Sequence, residues 1–238
     1  MAKRLLGAML LLMLSFQTMG MSDFKSAKKV LLEIYRQLPE SSTLYTNCAI
    51  RFRHGYYFPD LDSCGYIIQE DPKRGKRIEV EHVVPAYVFG RTESCWVQHK
   101  GRGRDNCQHT SKSFNQMEGD LHNLYPAIGE VNNLRGHMPP AELKQQNDGR
   151  FGENIDLIID AKKGLFQPPP SARGRVARAY LYMEHTYGIP MHTRTKELIE
   201  RWNEQYPPTR IECMRNTLIM KYQGNDNPFI TAKCQSHN

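Results

Sequence analysis

The chain has 238 residues, with 32 lysines and arginines against 25 aspartates and glutamates and a formal net charge of +7. No internal repeat or low-complexity linker interrupts it, and no stretch beyond residue 20 approaches the roughly 18 apolar residues of a spanning helix, which excludes repeat architectures and a polytopic membrane protein. The basic residues are clustered, which suits a polyanionic partner such as nucleic acid, although solubility or an anionic surface would explain the charge as well.

Residues 1–20 read as an export leader: Lys3 and Arg4, an apolar run from Leu5 to Phe16, and a small-residue exit at "TMG". An uncleaved anchor is the competing reading, because the exit departs from A-x-A. Removing the leader takes away Lys3 and Arg4 and brings the net charge from +7 to +5. Residues 21–238 are then expected to form one soluble, exported domain, periplasmic or secreted. Its six cysteines read as three disulfides, and zinc is disfavoured because no C-x-x-C pair occurs. Sequence proximity pairs Cys48 with Cys64, Cys95 with Cys107 and Cys213 with Cys234, out of 15 possible connectivities.

In chain order, Ser22 is placed to cap a helix whose apolar positions Ala27, Val30, Leu31, Ile34 and Tyr35 follow helical spacing, ending before Pro39. From Thr43 to Ile68 the composition predicts short strands and turns. "RIEVEHVV" alternates, with Ile78, Val80 and Val84 on one face and Glu79 and Glu81 on the other, as in a half-buried strand. Gly90 to Lys112 is polar and glycine-bearing and reads as a basic loop held by Cys95 and Cys107. In "DLHNLYPAIGEVNNLRG", Pro126 reads as a first helical position and Gly136 as the stop. Further helices are expected over Ser171–Tyr187, Thr195–Tyr206 and from about Ile211 to Tyr222. The fold class is therefore α+β, with a helical C-terminal third.

The strand's end carries the chemistry. A neutral imidazole at His82 can take a proton from water, and the adjacent carboxylate of Glu81 can hold a hard cation. Together they suit phosphodiester hydrolysis, helped by an arginine that forks onto the phosphate. In a regular strand the two side chains point to opposite faces, so the strand must end or twist there. Locally, a structural or merely exposed pair is the commoner case.

The segments "EHVVPAYVFG", "CW", "GRDNC", "MEGDLHNLYPAIGEVNNLRG", "PPPSARGRVARAYLYM" and "QGNDNPFITAKC", in that order over nearly all of residues 21–238, resemble the periplasmic and secreted endonuclease I family of bacteria. The resemblance implies a ββα-metal (His-Me finger) site that cleaves DNA, and often RNA, with little sequence preference. On it His82 matches the general base, Glu81 and Asn132 match the ligands of a single Mg2+ ion, and Arg104 matches the arginine on the scissile phosphate. Asn123 would brace the site, and Glu118 is a hydrogen-bonding support. The products would carry 5′-phosphates. Asn133 and Arg102 are the nearest rivals of Asn132 and Arg104. Arg102, Arg173 and Arg178 are candidate phosphate contacts, with solvated charges over tyrosine rings as the alternative. A monomer is expected. The rival function is a catalytically silent nucleic-acid-binding protein on the same fold. Many family members read "YCGC" where this chain has "YTNC" (Tyr45–Cys48), and carry a further cysteine near Asn154, so one bridge is missing as a pair.

Overall fold

The computed structural model describes residues 21, 23–99 and 101–234, so the leader and Ser22 lie outside the described residues. Helix α1 (Phe24–Gln37) is capped by Asp23, whose Oδ1 accepts from the Ser26 amide at 2.8 Å. Its buried stripe of Ala27, Leu31, Ile34 and Tyr35 follows the apolar spacing of the sequence. Strands β1 (Ala49–Arg53) and β2 (Tyr56–Asp60) form an antiparallel hairpin. The short helix α2 (Pro72–Gly75) leads into β3 (Ile78–His82).

The polar interval after β3 is helical rather than a loop: α3 (Ala86–Gly90), α4 (Ser94–Val97), α5 (Gly103–Thr110) and α6 (Lys112–Glu118) follow one another. Few apolar residues mark these turns. What holds them is the buried Cys95–Cys107 bridge between α4 and α5, together with Trp96, which packs against Phe114 of α6. All three disulfides pair cysteines as sequence proximity predicts.

Pro126 does not begin a helix. It lies inside β4 (Leu124–Ile128), which pairs antiparallel with β3 in the register Val80 to Pro126 and Glu81 to Tyr125. The proline is tolerated because its carbonyl accepts from the Leu44 amide at 2.8 Å, on the side away from β3, so no ladder hydrogen bond needs its missing N–H. Every residue of β4 is buried, which removes the alternation that would mark it as a strand in the sequence. Helix α7 (Gly129–Arg135) follows directly, closed by Gly136 at φ 54°.

The chain continues through β5 (Ile158–Asp160), β6 (Leu165–Gln167), α8 (Pro170–Tyr187), α9 (Thr193–Gln205), α10 (Arg210–Gln223) and α11 (Pro228–Cys234). Two apolar clusters fill the interior. One gathers α1, Ile78, Leu121, Leu124 and Ile219; the other gathers Tyr125, Ala127 and Val131 with the buried side of α8 and Trp202. Adjacent residues of β4 thus feed different clusters, and the β3–β4 pair is held from both sides. The result is a mixed helix and strand architecture with three disulfides. Among the described residues no helix is long and apolar enough to cross a membrane.

Candidate active site

The site forms where β3 ends against α7. Arg135, the last residue of α7 and fully buried, donates through Nη1 to Glu81 Oε1 at 2.9 Å and to the His82 carbonyl at 3.0 Å. Its Nη2 donates to the Val83 carbonyl at 2.8 Å. One guanidinium therefore fixes both the acid and the end of the strand. The Tyr45 hydroxyl donates to the same Oε1 at 2.8 Å, and Glu81 Oε2 is left without a partner among the described residues. Burial pushes the Glu81 carboxyl above its ordinary range, with Arg135 and the Tyr45 hydroxyl pulling against it.

His82 leaves the strand on the other face and packs between the rings of Phe24 (4.7 Å) and Phe89 (6.3 Å). Its Nε2 lies 2.9 Å from the Glu118 carbonyl oxygen. A carbonyl can only accept, so Nε2 carries the hydrogen and Nδ1 keeps its lone pair, with no partner among the described residues. Burial, with the Arg104 cation adding to it, pushes the imidazole down to about 3, so it is neutral at physiological pH.

Glu118 serves twice. Besides its carbonyl, its buried carboxylate accepts from Arg104 Nε at 2.6 Å and from Gln108 Nε2 at 2.8 and 2.9 Å. That holds the Arg104 guanidinium 5.5 Å over the Phe24 ring with its Nη groups unpaired among the described residues. Asn123 closes the strand ends by a double hydrogen bond to Val84, Oδ1 accepting at 2.7 Å and Nδ2 donating at 2.9 Å.

Asn132, on α7, donates its Nδ2 to Glu79 Oε2 at 3.2 Å, which turns Oδ1 away from the carboxylate. Glu79 is in turn gripped by Arg74 and Arg77 at 2.5 Å each. A side chain at Gly129 would sit 2.8 Å from Glu79 Oε1, so the first residue of α7 must be glycine for this approach. Asn133 instead accepts from Arg74 Nη1 at 2.6 Å.

Glu81, His82, Arg104 and Asn132 line one open cleft of about 670 Å³. The strand-face difficulty disappears because the cleft lies across the end of β3, where residues of both faces reach it. Glu81 Oε2 and Asn132 Oδ1 are the hard oxygen donors that a magnesium-like cation takes, so the residues present fit such an ion. Arg102 lies in an adjoining groove that shares Phe24, Trp96 and Arg104 with the cleft. Arg173 and Arg178 do not reach it. Arg173 is bound to the Pro168 carbonyl and the Tyr206 hydroxyl at 3.2 Å each. Arg178 is buried, with Nε and Nη2 both 2.7 Å from Glu212, so it has no surface to offer a substrate. Glu79, Arg135 and Tyr45 are site residues that the sequence does not single out. The one signal was the spacing of Glu79 and Glu81, which puts both acids on the strand face that α7 covers.

The endonuclease I family model matches residues 14–234. A periplasmic deoxyribonuclease of Aeromonas hydrophila is 42% identical over 231 residues, covering 97% of this chain and 94% of its own length. An extracellular deoxyribonuclease of the same species is 44% identical over 213 residues, covering 89% and 90%. Endonuclease-1 of Buchnera aphidicola subsp. Baizongia pistaciae is 39% identical over 217 residues, covering 91% and 86%. With these matches running nearly the length of both partners, the chain belongs to the endonuclease I family of nucleases.

Proposed function

We propose that the protein is an exported, magnesium-dependent endonuclease that hydrolyses phosphodiester bonds of DNA, and of RNA, using His82 as general base. The observation that carries this is the fixed tautomer of His82: Nε2–H held by the Glu118 carbonyl, and the Nδ1 lone pair left free beside a cleft lined by Glu81, Asn132 and Arg104. The succession β3, β4, α7 reads as a ββα-metal unit, with the base at the end of its first strand and a ligand on its helix. Residues 21–238 are read as one monomeric nuclease domain, freed from the leader 1–20.

Glu81 Oε2 and Asn132 Oδ1 would hold Mg2+, which, when bound, stabilises charge on the phosphate oxygens and on the departing 3′-oxygen. His82 Nδ1 takes the proton of the attacking water as it approaches phosphorus in line. The displaced 3′-oxygen takes up a proton from solvent and becomes a 3′-hydroxyl, and the phosphate stays on the 5′-oxygen of the other fragment, giving a 5′-phosphate. Arg104, presented by Glu118, places its Nη groups against a phosphate oxygen and strengthens that contact as negative charge grows. A phosphate entering the cleft also offsets the Arg104 charge that depresses the imidazole, so the base gains proton affinity when substrate is present. The contacts are to phosphates, which DNA and RNA share, and none selects a sequence.

The test is supercoiled plasmid incubated with the oxidised mature protein or its His82→Ala variant, with magnesium or with excess chelator. Nicking that needs magnesium and is lost in the variant is expected. Plasmid retarded by both proteins but cut by neither would leave only the binding function.

A further inference from the structure

A second cavity, of about 450 Å³, opens between the end of α1, α8 and α10 and shares no lining residue with the cleft. Its lining includes Arg215, which is 3% exposed. Arg215 Nη2 donates to the carbonyls of Leu121 and Leu124, at 2.6 Å each, and its guanidinium lies 3.9 Å from the Tyr125 ring centre. Nε and Nη1 are buried and meet no acceptor in hydrogen-bond geometry among the described residues, although the neutral Tyr35 hydroxyl lies close enough to interact with the guanidinium.

No carboxylate among the described residues is free to match that charge. The one a helical turn away, Glu212, is taken on both oxygens by Arg178 at 2.7 Å. Tyr35 and Tyr125 flank the guanidinium as neutral phenols, since burial pushes both hydroxyls above their ordinary range. Arg175 adds a further positive charge to the lining. It donates Nη2 to the carbonyls of Leu44 (3.3 Å) and Ser171 (3.1 Å), leaving Nε and Nη1 unpaired among the described residues. Glu40 lines the cavity but is exposed. Three guanidiniums thus face one buried carboxylate. The first turns of α8 and α10 reach the same cavity, so two positive helix ends add to the field.

A buried cation is costly unless an anion matches it. Water could accept from Nε and Nη1 but could not balance the charge; an oxyanion does both, and its spaced oxygens suit the guanidinium fork. We propose that this cavity binds phosphate, with Arg215 at its floor and Arg175 as the second cationic arm. The phosphate is either the free ion or the terminal group of a nucleotide, for which the volume and the Tyr206 ring leave room.

The test is titration of the oxidised mature protein, in chelator, with inorganic phosphate or with 5′-thymidylate, at ionic strength held constant with sodium chloride, followed by calorimetry and by thermal midpoint. A saturable response to phosphate is expected, kept in Arg104→Ala and weakened about tenfold or more in Arg175→Met by the loss of a charge-assisted contact. Arg215→Met should abolish it, and if that variant does not fold, Arg175→Met still decides. Equal affinity for the two ligands assigns the site to the free ion, and tighter thymidylate assigns it to a nucleotide. The proposal is overturned by a response no greater than that to chloride, by one unchanged in Arg175→Met, or by one lost in Arg104→Ala, which would place the anion in the cleft.

Discussion

Glu79 and Asn132 meet across the β3–α7 junction, carboxylate oxygen to amide nitrogen at 3.2 Å. This contact decides which end of the amide is available: with Nδ2 held by Glu79, Oδ1 is free to act as a ligand. Glu79→Gln can offer its own amide nitrogen to the wrong atom of Asn132 and let the amide turn. Metal affinity, read by Mn2+ binding, and the nicking rate should each fall by about 10- to 100-fold. Asn132→Asp alone places two carboxylates in contact and should fare as badly. The double variant exchanges donor and acceptor, since the amide introduced on β3 can donate to the carboxylate introduced on α7, and should recover a measurable part of both losses. A double variant no better than either single one would show that the contact does not orient the ligand.

The Arg104–Glu118 pair joins an arginine 44% exposed to a carboxylate that is fully buried. Glu118→Gln leaves the backbone carbonyl that fixes His82 and removes only the charge that presents Arg104. Its nicking rate should fall by about tenfold or more, and Arg104→Ala should fall further. Because Glu118 acts through Arg104, the two losses should not add: combining Glu118→Gln with Arg104→Ala should cost little beyond Arg104→Ala alone. Additive losses in the rate measurements would mean that Glu118 works on the site by another route.

Much of this arrangement is legible in the sequence, and the elements that are not share a cause. Helices α8 to α10 carry apolar spacing and proline or glycine boundaries, and all lie within a few residues of expectation. The cysteines pair by proximity because each bridge spans a short separation. Strand β4 was hidden because five consecutive buried positions have no period and Pro126 mimics a helix start. Helices α4 to α6 were hidden because a disulfide and one tryptophan hold them in place of an apolar stripe. At the site, His82, Glu81 and Asn132 stand in recognisable motifs. Glu79 and Arg135 look like ordinary surface charges in the sequence, and only the packing of α7 on β3 turns one into an orienting acceptor and the other into a buried clamp.

His122 is buried, with Nε2 3.2 Å from the Asn225 carbonyl and Nδ1 without a partner among the described residues. Burial pushes it down to about 4, against the pull of Asp120. The folded state therefore resists protonation while the unfolded chain takes a proton near 6.5. Stability from this group is complete above about pH 6.5 and is lost as pH falls toward 4, with a slope of up to about 1.4 kcal/mol per pH unit. Urea midpoints between pH 7 and 4 should fall less steeply in His122→Gln, which can still donate to Asn225. His82, shifted the same way, leaves a residual slope in the variant. Parallel curves for the two proteins would show that His122 does not titrate on unfolding in this range.

Arg178 and Glu212 form a bidentate pair in which both side chains are 2% exposed. Arg178→Met strands a buried carboxylate beside the remaining guanidiniums, and Glu212→Leu strands Arg178. Each should cost about 3–5 kcal/mol in urea unfolding. Replacing both at once removes two desolvated charges together and should cost much less than the sum of the single losses. The same variants separate structure from substrate binding. A direct phosphate contact contributes about 0.9 to the slope of log affinity against log salt, so Arg178→Met should leave that slope for plasmid binding unchanged while Arg104→Ala lowers it. A lower slope in Arg178→Met would bring the arginine out of the core and onto the nucleic acid.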